Sequence, residues 1–161
     1  MRPPVIGVMG PGQGADAATL ENAGQLGRLI AEAGWVLLTG GQAVGVMDAA
    51  SRAARDAGGL VIGVLPQDHA QNASDGVTVA IVTGMGSARN NINVLSSDVV
   101  IACGMGPGTA SEVALAIKAG KPVILLGCGA GAEGLFNKMS VDKVEATETP
   151  DKALEIAGEL L

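Results

Sequence analysis

The chain of 161 residues contains no tyrosine, one tryptophan and one phenylalanine. Nucleic-acid bases stack on aromatic side chains, so the usual platform for a single strand is missing. Positive charge is also scarce. Ten Lys and Arg stand against sixteen Asp and Glu, a net charge of −6 that repels phosphodiesters, so no nucleic-acid partner is expected. Two cysteines, Cys103 and Cys128, set no disulfide framework. With a single histidine, His69, they cannot complete a structural zinc site, and no metal is expected. No apolar run approaches the roughly 20 residues that cross a bilayer. Met1-Arg-Pro-Pro-Val-Ile-Gly7 runs directly into a strand pattern without a signal peptide. A cytoplasmic location with no membrane partner is the expectation.

What the chain has instead is glycine, 25 residues of it, in a composition that is 48% hydrophobic and rich in alanine and valine. Small core residues imply elements packed closely together, as in a parallel sheet covered by helices. The pattern along the chain agrees. Apolar runs at 5–9, 35–39, 60–65, 99–103 and 123–126 read as buried strands, and 77–82 as a fourth strand or edge piece. Helical spacing fills 15–33, 46–57, 87–96 and the segment opening at Thr109; Ser87 suits an N-cap, and a short helix fits 133–137. Residues 66–76 carry turn signals and no helix pattern. A short strand over 141–147 and a helix from Pro150 to Leu160 complete the series. The alternation predicts one α/β domain over 1–161, a doubly wound, mostly parallel, Rossmann-like sheet with helices on both faces.

The strand-to-helix turns are where glycine concentrates: Gly10-Pro-Gly-Gln-Gly14, Gly40-Gly-Gln-Ala-Val-Gly45, Thr83-Gly-Met-Gly86, Gly104-Met-Gly-Pro-Gly108 and Gly127-Cys-Gly-Ala-Gly131. In an open parallel sheet all such turns share the carboxyl edge, and a crevice opens where the strand order reverses. If the first strand is central, Gly10, Pro11, Gly12 and Gly14 face Gly104, Gly106, Pro107 and Gly108 across that crevice, with Thr39, Gly40 and Gly41 nearby. Backbone N–H groups at a helix start attract an anion, most often phosphate. None of the turns ends in the Gly-Lys-Ser/Thr of a nucleoside-triphosphate loop, and Gly10-x-Gly12-x-Gly14 has the wrong last spacing for a dinucleotide fingerprint. A phosphorylated small molecule is therefore the expected ligand.

Arg89 falls in the first turn of a helix, where a cation opposes the helix dipole and calls for a facing anion. Thr109 and Glu112 have capping-box spacing, which leaves Glu112 either a helix cap or a ligand-facing carboxylate. Arg28, Arg52 and Arg55 suit solvated faces. Asp48 reads as an early-helix acid and His69 as an ordinary loop residue; Cys103 and Cys128 end two strands that could bring them to the crevice, with packing as small hydrophobes the default reading.

Gly84-Met-Gly-Ser-Ala-Arg-Asn90, Ser97-Asp-Val-Val-Ile-Ala102, Gly104-Met-Gly-Pro-Gly-Thr-Ala-Ser-Glu112, Gly120-Lys-Pro122 and the Thr39-Gly-Gly41 turn resemble the lysine-decarboxylase-like Rossmann superfamily across essentially the whole chain. Within it the sequence is most similar to the molybdenum-cofactor carrier branch, a sister of the Lonely-guy cytokinin-activating phosphoribohydrolases. The resemblance implies a homo-oligomer, dimer or tetramer, and a site for a phosphorylated heterocycle that includes Arg89, Asn90, Thr109 and Glu112. In the carrier branch those turns hold the phosphate of molybdopterin as cargo, with Glu112 capping its helix and ordering Arg89. In the hydrolase branch the residues matching Arg89 and Glu112 are catalytic: Arg89 would hold the ribose phosphate, and Glu112 would stabilise an oxocarbenium-like ribose or activate water for N-glycosidic cleavage in a nucleoside 5′-monophosphate. This chain has Cys103-Gly-Met-Gly-Pro107 where the hydrolase motif begins Pro-Gly-Gly, and Ala88-Arg-Asn-Asn91 where the hydrolases carry Arg-Lys after an acid. Both departures fit the carrier branch. A third reading is an oligomeric nucleotide sensor.

Overall fold

The computed structural model describes residues 2–140 and 144–161. Seven strands, β1 (Val5–Met9), β2 (Val36–Thr39), β3 (Val61–Leu65), β4 (Val79–Val82), β5 (Val99–Cys103), β6 (Val123–Leu126) and β7 (Val144–Thr147), form one sheet in the order β4-β3-β2-β1-β5-β6-β7. Every neighbouring pair is parallel, from Ile62 opposite Val79 at one edge to Leu126 opposite Thr147 at the other. The order reverses between β1 and β5, which pair directly through Ile6–Val99 and Met9–Ala102.

Because successive side chains of a strand face opposite sides, each strand feeds two helical layers. Ile6 and Val8 of β1, with Val99 and Ile101 of β5, pack under α1 (Ala17–Glu32), α2 (Gly45–Asp56) and α6 (Pro150–Leu160). Met9, Val100 and Ala102 face the other way, under α3 (Asn90–Ser96), α4 (Pro107–Lys118) and α5 (Gly129–Met139). This is the doubly wound arrangement expected from the continuous apolar runs. The small residues set how close the layers come. A Cβ on Gly27 of α1 would strike the Ala50 carbonyl of α2, so only glycine admits that helix crossing.

The element boundaries depart from expectation in physically instructive places. The segment 87–96 splits into a 3-10 turn, Gly86–Arg89, and α3, and Ser87 lies inside the turn without capping anything. Helix α4 opens at Pro107, two residues before Thr109, because a proline lacking an N–H fits the first helical position. Helix α5 is longer than the short helix expected over 133–137. β4 is an edge strand with all four residues exposed. Of the strand expected over 141–147, residues 141–143 lie outside the described residues and Val144–Thr147 form β7.

Candidate functional site

A cavity of about 400 Å³ opens at the carboxyl ends of β1 and β5, where the order reverses. Three turns and one helix entrance build it. The turn after β1 supplies Gly10, Pro11 and Gly12, the turn after β2 supplies Gly40, and Arg89 and Asn90 enter from the start of α3. The turn after β5 and the first α4 turns supply Gly106, Pro107, Gly108, Thr109 and Glu112. Val8, Met9, Gln13, Gln42, Val44 and Met47 also line the cavity, none of them singled out by the sequence.

Four expected residues lie outside this lining. The Thr39 hydroxyl is buried, shares a hydrogen bond with Ser51 at 3.2 Å and accepts the Gly41 N–H at 3.1 Å, so it shapes the β2 turn from behind. Gly41 packs against the backbone of Gly63. The Gly104 N–H donates to the Leu126 carbonyl at 2.9 Å and is consumed by the sheet. Gly14 is exposed, with open space where a Cβ would stand.

Among the described residues, Arg89 is the one cation of the lining, and it is only 8% exposed. Its guanidinium occupies the space a Cβ on Gly40 would need, so the glycine at the end of β2 makes room for it. Arg89 Nε has no hydrogen-bond partner, and among the described residues no carboxylate lies at ion-pair distance. Burial pushes its pKa down, and the more distant Glu112 carboxylate only partly offsets that. An unpaired buried charge is costly, and a ligand anion would remove the cost.

Glu112 is 6% exposed on α4 and accepts one hydrogen bond, from Asn93 Nδ2 of α3 at 2.9 Å. One turn earlier, Asn90 Nδ2 donates to Ser111 Oγ at 2.9 Å, and Ser111 Oγ donates to the Gly108 carbonyl at 2.6 Å. Asn90 and Asn93 therefore form a two-point clamp that fixes α3 against α4. Desolvation pushes the Glu112 carboxyl up to about 7, against the opposing pulls of Asn93 and Arg89. The expected capping box is absent: Glu112 bonds across to α3, and the buried Thr109 Oγ1 has no partner among the described residues. The reason is the earlier helix start, which places Thr109 inside the first turn.

With Gly106 as its N-cap, α4 has no side-chain cap and no acid in its first turn. The Gly108 and Thr109 N–H groups thus belong to the four that a helix start leaves without intrahelical partners, and both residues line the cavity.

The remaining candidates lie outside the cavity lining. Asp48 pairs with Arg52 at 2.9 Å and accepts the Ser74 hydroxyl at 2.6 Å. Arg28 and Arg55 make surface pairs with Glu32 and Asp56. His69 is outside the cavity lining, in the 66–76 loop. Cys103 is buried in the α1/α2/α6 layer, and Cys128 donates to the Ala102 and Gly104 carbonyls at 3.4 Å. Burial holds both thiols up near 12, far from nucleophilic ionisation, and neither lines the cavity.

The model of the SLOG cluster4 family matches residues 3–154, and the chain belongs to that family. The fold and sequence are similar to the molybdenum cofactor binding protein of Rippkaea orientalis, at 57% identity and a TM-score of 0.97 over 99% of this chain and 98% of that one. They are similar also to the Moco carrier protein of Chlamydomonas reinhardtii, at 50% identity and a TM-score of 0.93 over the same shares of the two chains. A cytokinin riboside 5′-monophosphate phosphoribohydrolase of Mycobacterium tuberculosis is 36% identical over 99 residues, 60% of this chain and 53% of that protein. The resemblance read from the glycine motifs is borne out, with the carrier branch nearer than the hydrolases.

Proposed function

We propose that this member of the SLOG cluster4 family binds a phosphorylated heterocycle and carries the molybdenum cofactor as cargo, its phosphate held between Arg89 and the open start of α4. The observation that carries the reading is Arg89 itself: a buried guanidinium with an unpartnered Nε, facing a cavity whose other wall is an uncapped helix start. An anion at that point satisfies both at once. The similarity to two molybdenum-cofactor proteins over nearly their full length supports the cargo. Purification under reducing, anaerobic conditions, followed by fluorescence of the oxidised pterin, tests it: retention of molybdopterin by the wild-type protein and its loss in Arg89→Ala is the expected result, and equal retention removes Arg89 from the site.

A second reading rests on Glu112. A carboxyl poised near neutrality beside a phosphate-binding arginine can assist cleavage of an N-glycosidic bond, with water adding at the anomeric carbon while the free base leaves. The phosphoribohydrolase relatives supply the substrate class. Incubation with a panel of nucleoside 5′-monophosphates discriminates: the carrier reading expects no free base, and release abolished by Glu112→Gln would make the enzyme primary.

A homo-oligomer working in the cytoplasm belongs to the same proposal. Exposed Val79, Ile81 and Val82 on β4, and Leu135 and Met139 on α5, offer apolar surface that an assembly would cover. Light scattering on the purified protein reads the subunit number directly.

A further inference from the structure

The cavity has two chemically different halves, and only one is explained by phosphate. Among the described residues its charged lining is Arg89 and Glu112; away from them the described wall is neutral and contains no aromatic ring. Met47 bridges the halves. A Cβ on Gly40 would sit 2.6 Å from its Sδ, beside Arg89, whereas a Cβ on Gly12 would sit 3.6 Å from its Cε and 3.3 Å from Val44 Cγ1. Met47 and Val44 therefore form a continuous apolar strip running from the arginine toward the turn after β1.

Gln13 and Gln42 flank that strip, one from the turn after β1 and one from the turn after β2. Gln42 is half-buried and Gln13 exposed, and neither side-chain amide has a hydrogen-bond partner among the described residues. A carboxamide offers a donor and an acceptor side by side, the complement of a lactam or amidine edge on a heterocycle. A polarisable thioether is a good bed for the flat face of such a ring, in a lining that has no aromatic ring among the described residues.

We infer that Gln13 and Gln42 read the hydrogen-bonding edge of a neutral, planar heterocycle lying on Met47 and Val44, while Arg89 and the α4 start hold its phosphate. This rests on the phosphate-binding reading and adds to it the residues that choose the ligand. A sugar phosphate uses only the anionic half. A pterin or purine monophosphate uses both.

Isothermal titration calorimetry with two probes, ribose 5-phosphate and a pterin carrying a phosphomonoester, separates the two statements. The wild-type protein should bind the pterin phosphate at least about tenfold more tightly than ribose 5-phosphate, two neutral hydrogen bonds together being worth roughly that factor. The double variant Gln13→Ala/Gln42→Ala should lose most of this preference and bind ribose 5-phosphate within about twofold of wild type. Arg89→Ala should weaken both probes. A double variant that keeps the full preference overturns the glutamine assignment and leaves the phosphate site standing. Wild-type protein that binds neither probe in an Arg89-dependent way overturns the phosphate reading, and the glutamine assignment with it.

Discussion

The turns after β1 and β5 meet across the same crevice and look alike on paper: each follows a buried strand, each is glycine-rich with a proline, and each opens a helix. The molecule treats them oppositely. Helix α1 begins at Asp16, whose carboxylate accepts the Thr19 N–H at 2.8 Å and is held below the usual carboxylate range by that bond. Helix α4 begins at Gly106, with no side chain to accept anything and no acid in its first turn. A helix start already holding its own carboxylate has little attraction left for a ligand anion, whereas an uncapped one keeps its N–H groups and dipole available. What separates the two turns is one side chain at the cap position, rather than the number of glycines.

The partners behind each turn reinforce the difference. The β1 turn is stitched inward, its Pro11 carbonyl accepting the Val46 N–H of α2 at 3.1 Å. The α4 start faces a buried arginine without a counter-ion and a buried threonine hydroxyl without a partner. Buried polar atoms without a partner are unusual, and among the described residues Arg89 Nε and Thr109 Oγ1 are two such atoms in the lining of one cavity.

Four substitutions test how differently the two helix starts behave. The largest effect is expected from Glu112→Gln on the stability of the ligand-free protein. The folded carboxyl titrates near 7 against an ordinary value of 4.5, so the folded state binds a proton the unfolded state releases across that interval. Stability therefore falls as pH rises from about 4.5 to about 7 and is flat above. The glutamine variant should recover up to about 3 kcal/mol at pH 8 and none at pH 4, read by urea denaturation at both pH values. Arg89→Ala should cost about 1.5–3 kcal/mol of affinity for a phosphate-bearing ligand, the worth of a charged hydrogen bond, in a calorimetric titration. Gly106→Asp makes α4 resemble α1. A Cβ at Gly106 finds its nearest neighbour, Pro11 Cβ, at 3.4 Å, so the side chain fits. That variant should gain only a few tenths of a kcal/mol of stability, the difference between aspartate and glycine at an N-cap, and lose phosphate affinity. The converse, Asp16→Ala, should lower the melting temperature by a few degrees while leaving ligand affinity unchanged. Loss of affinity in that variant would mean that the two turns are not functionally distinct.

Much of this architecture is legible in the chain. Continuous apolar runs such as Val99–Cys103 and glycine at the strand ends specify a parallel sheet with its turns on one rim, and Arg89 stands out as a cation at the wrong end of a helix. The cap of α4 is misread because Thr109-x-x-Glu112 satisfies the capping-box pattern, although Pro107 is the better first helical residue and moves the start upstream. The Asn90/Asn93 clamp onto Ser111 and Glu112 carries no local signal, since it depends on two helices meeting across 19 to 21 residues of sequence. Gln13, Gln42 and Met47 are equally silent. Their roles come from the turns after β1 and β2 and the first turn of α2 converging in space, and no local pattern encodes that.

Of the two helix starts, that of α4 is expected to receive the anion. A crystal structure of the protein with a pterin phosphate or a nucleoside monophosphate decides it: the phosphate oxygens should lie within hydrogen-bond distance of the Gly108 and Thr109 N–H groups and of the Arg89 guanidinium. A phosphate seated instead against the turn after β1, beside Asp16 and away from Arg89, would contradict it.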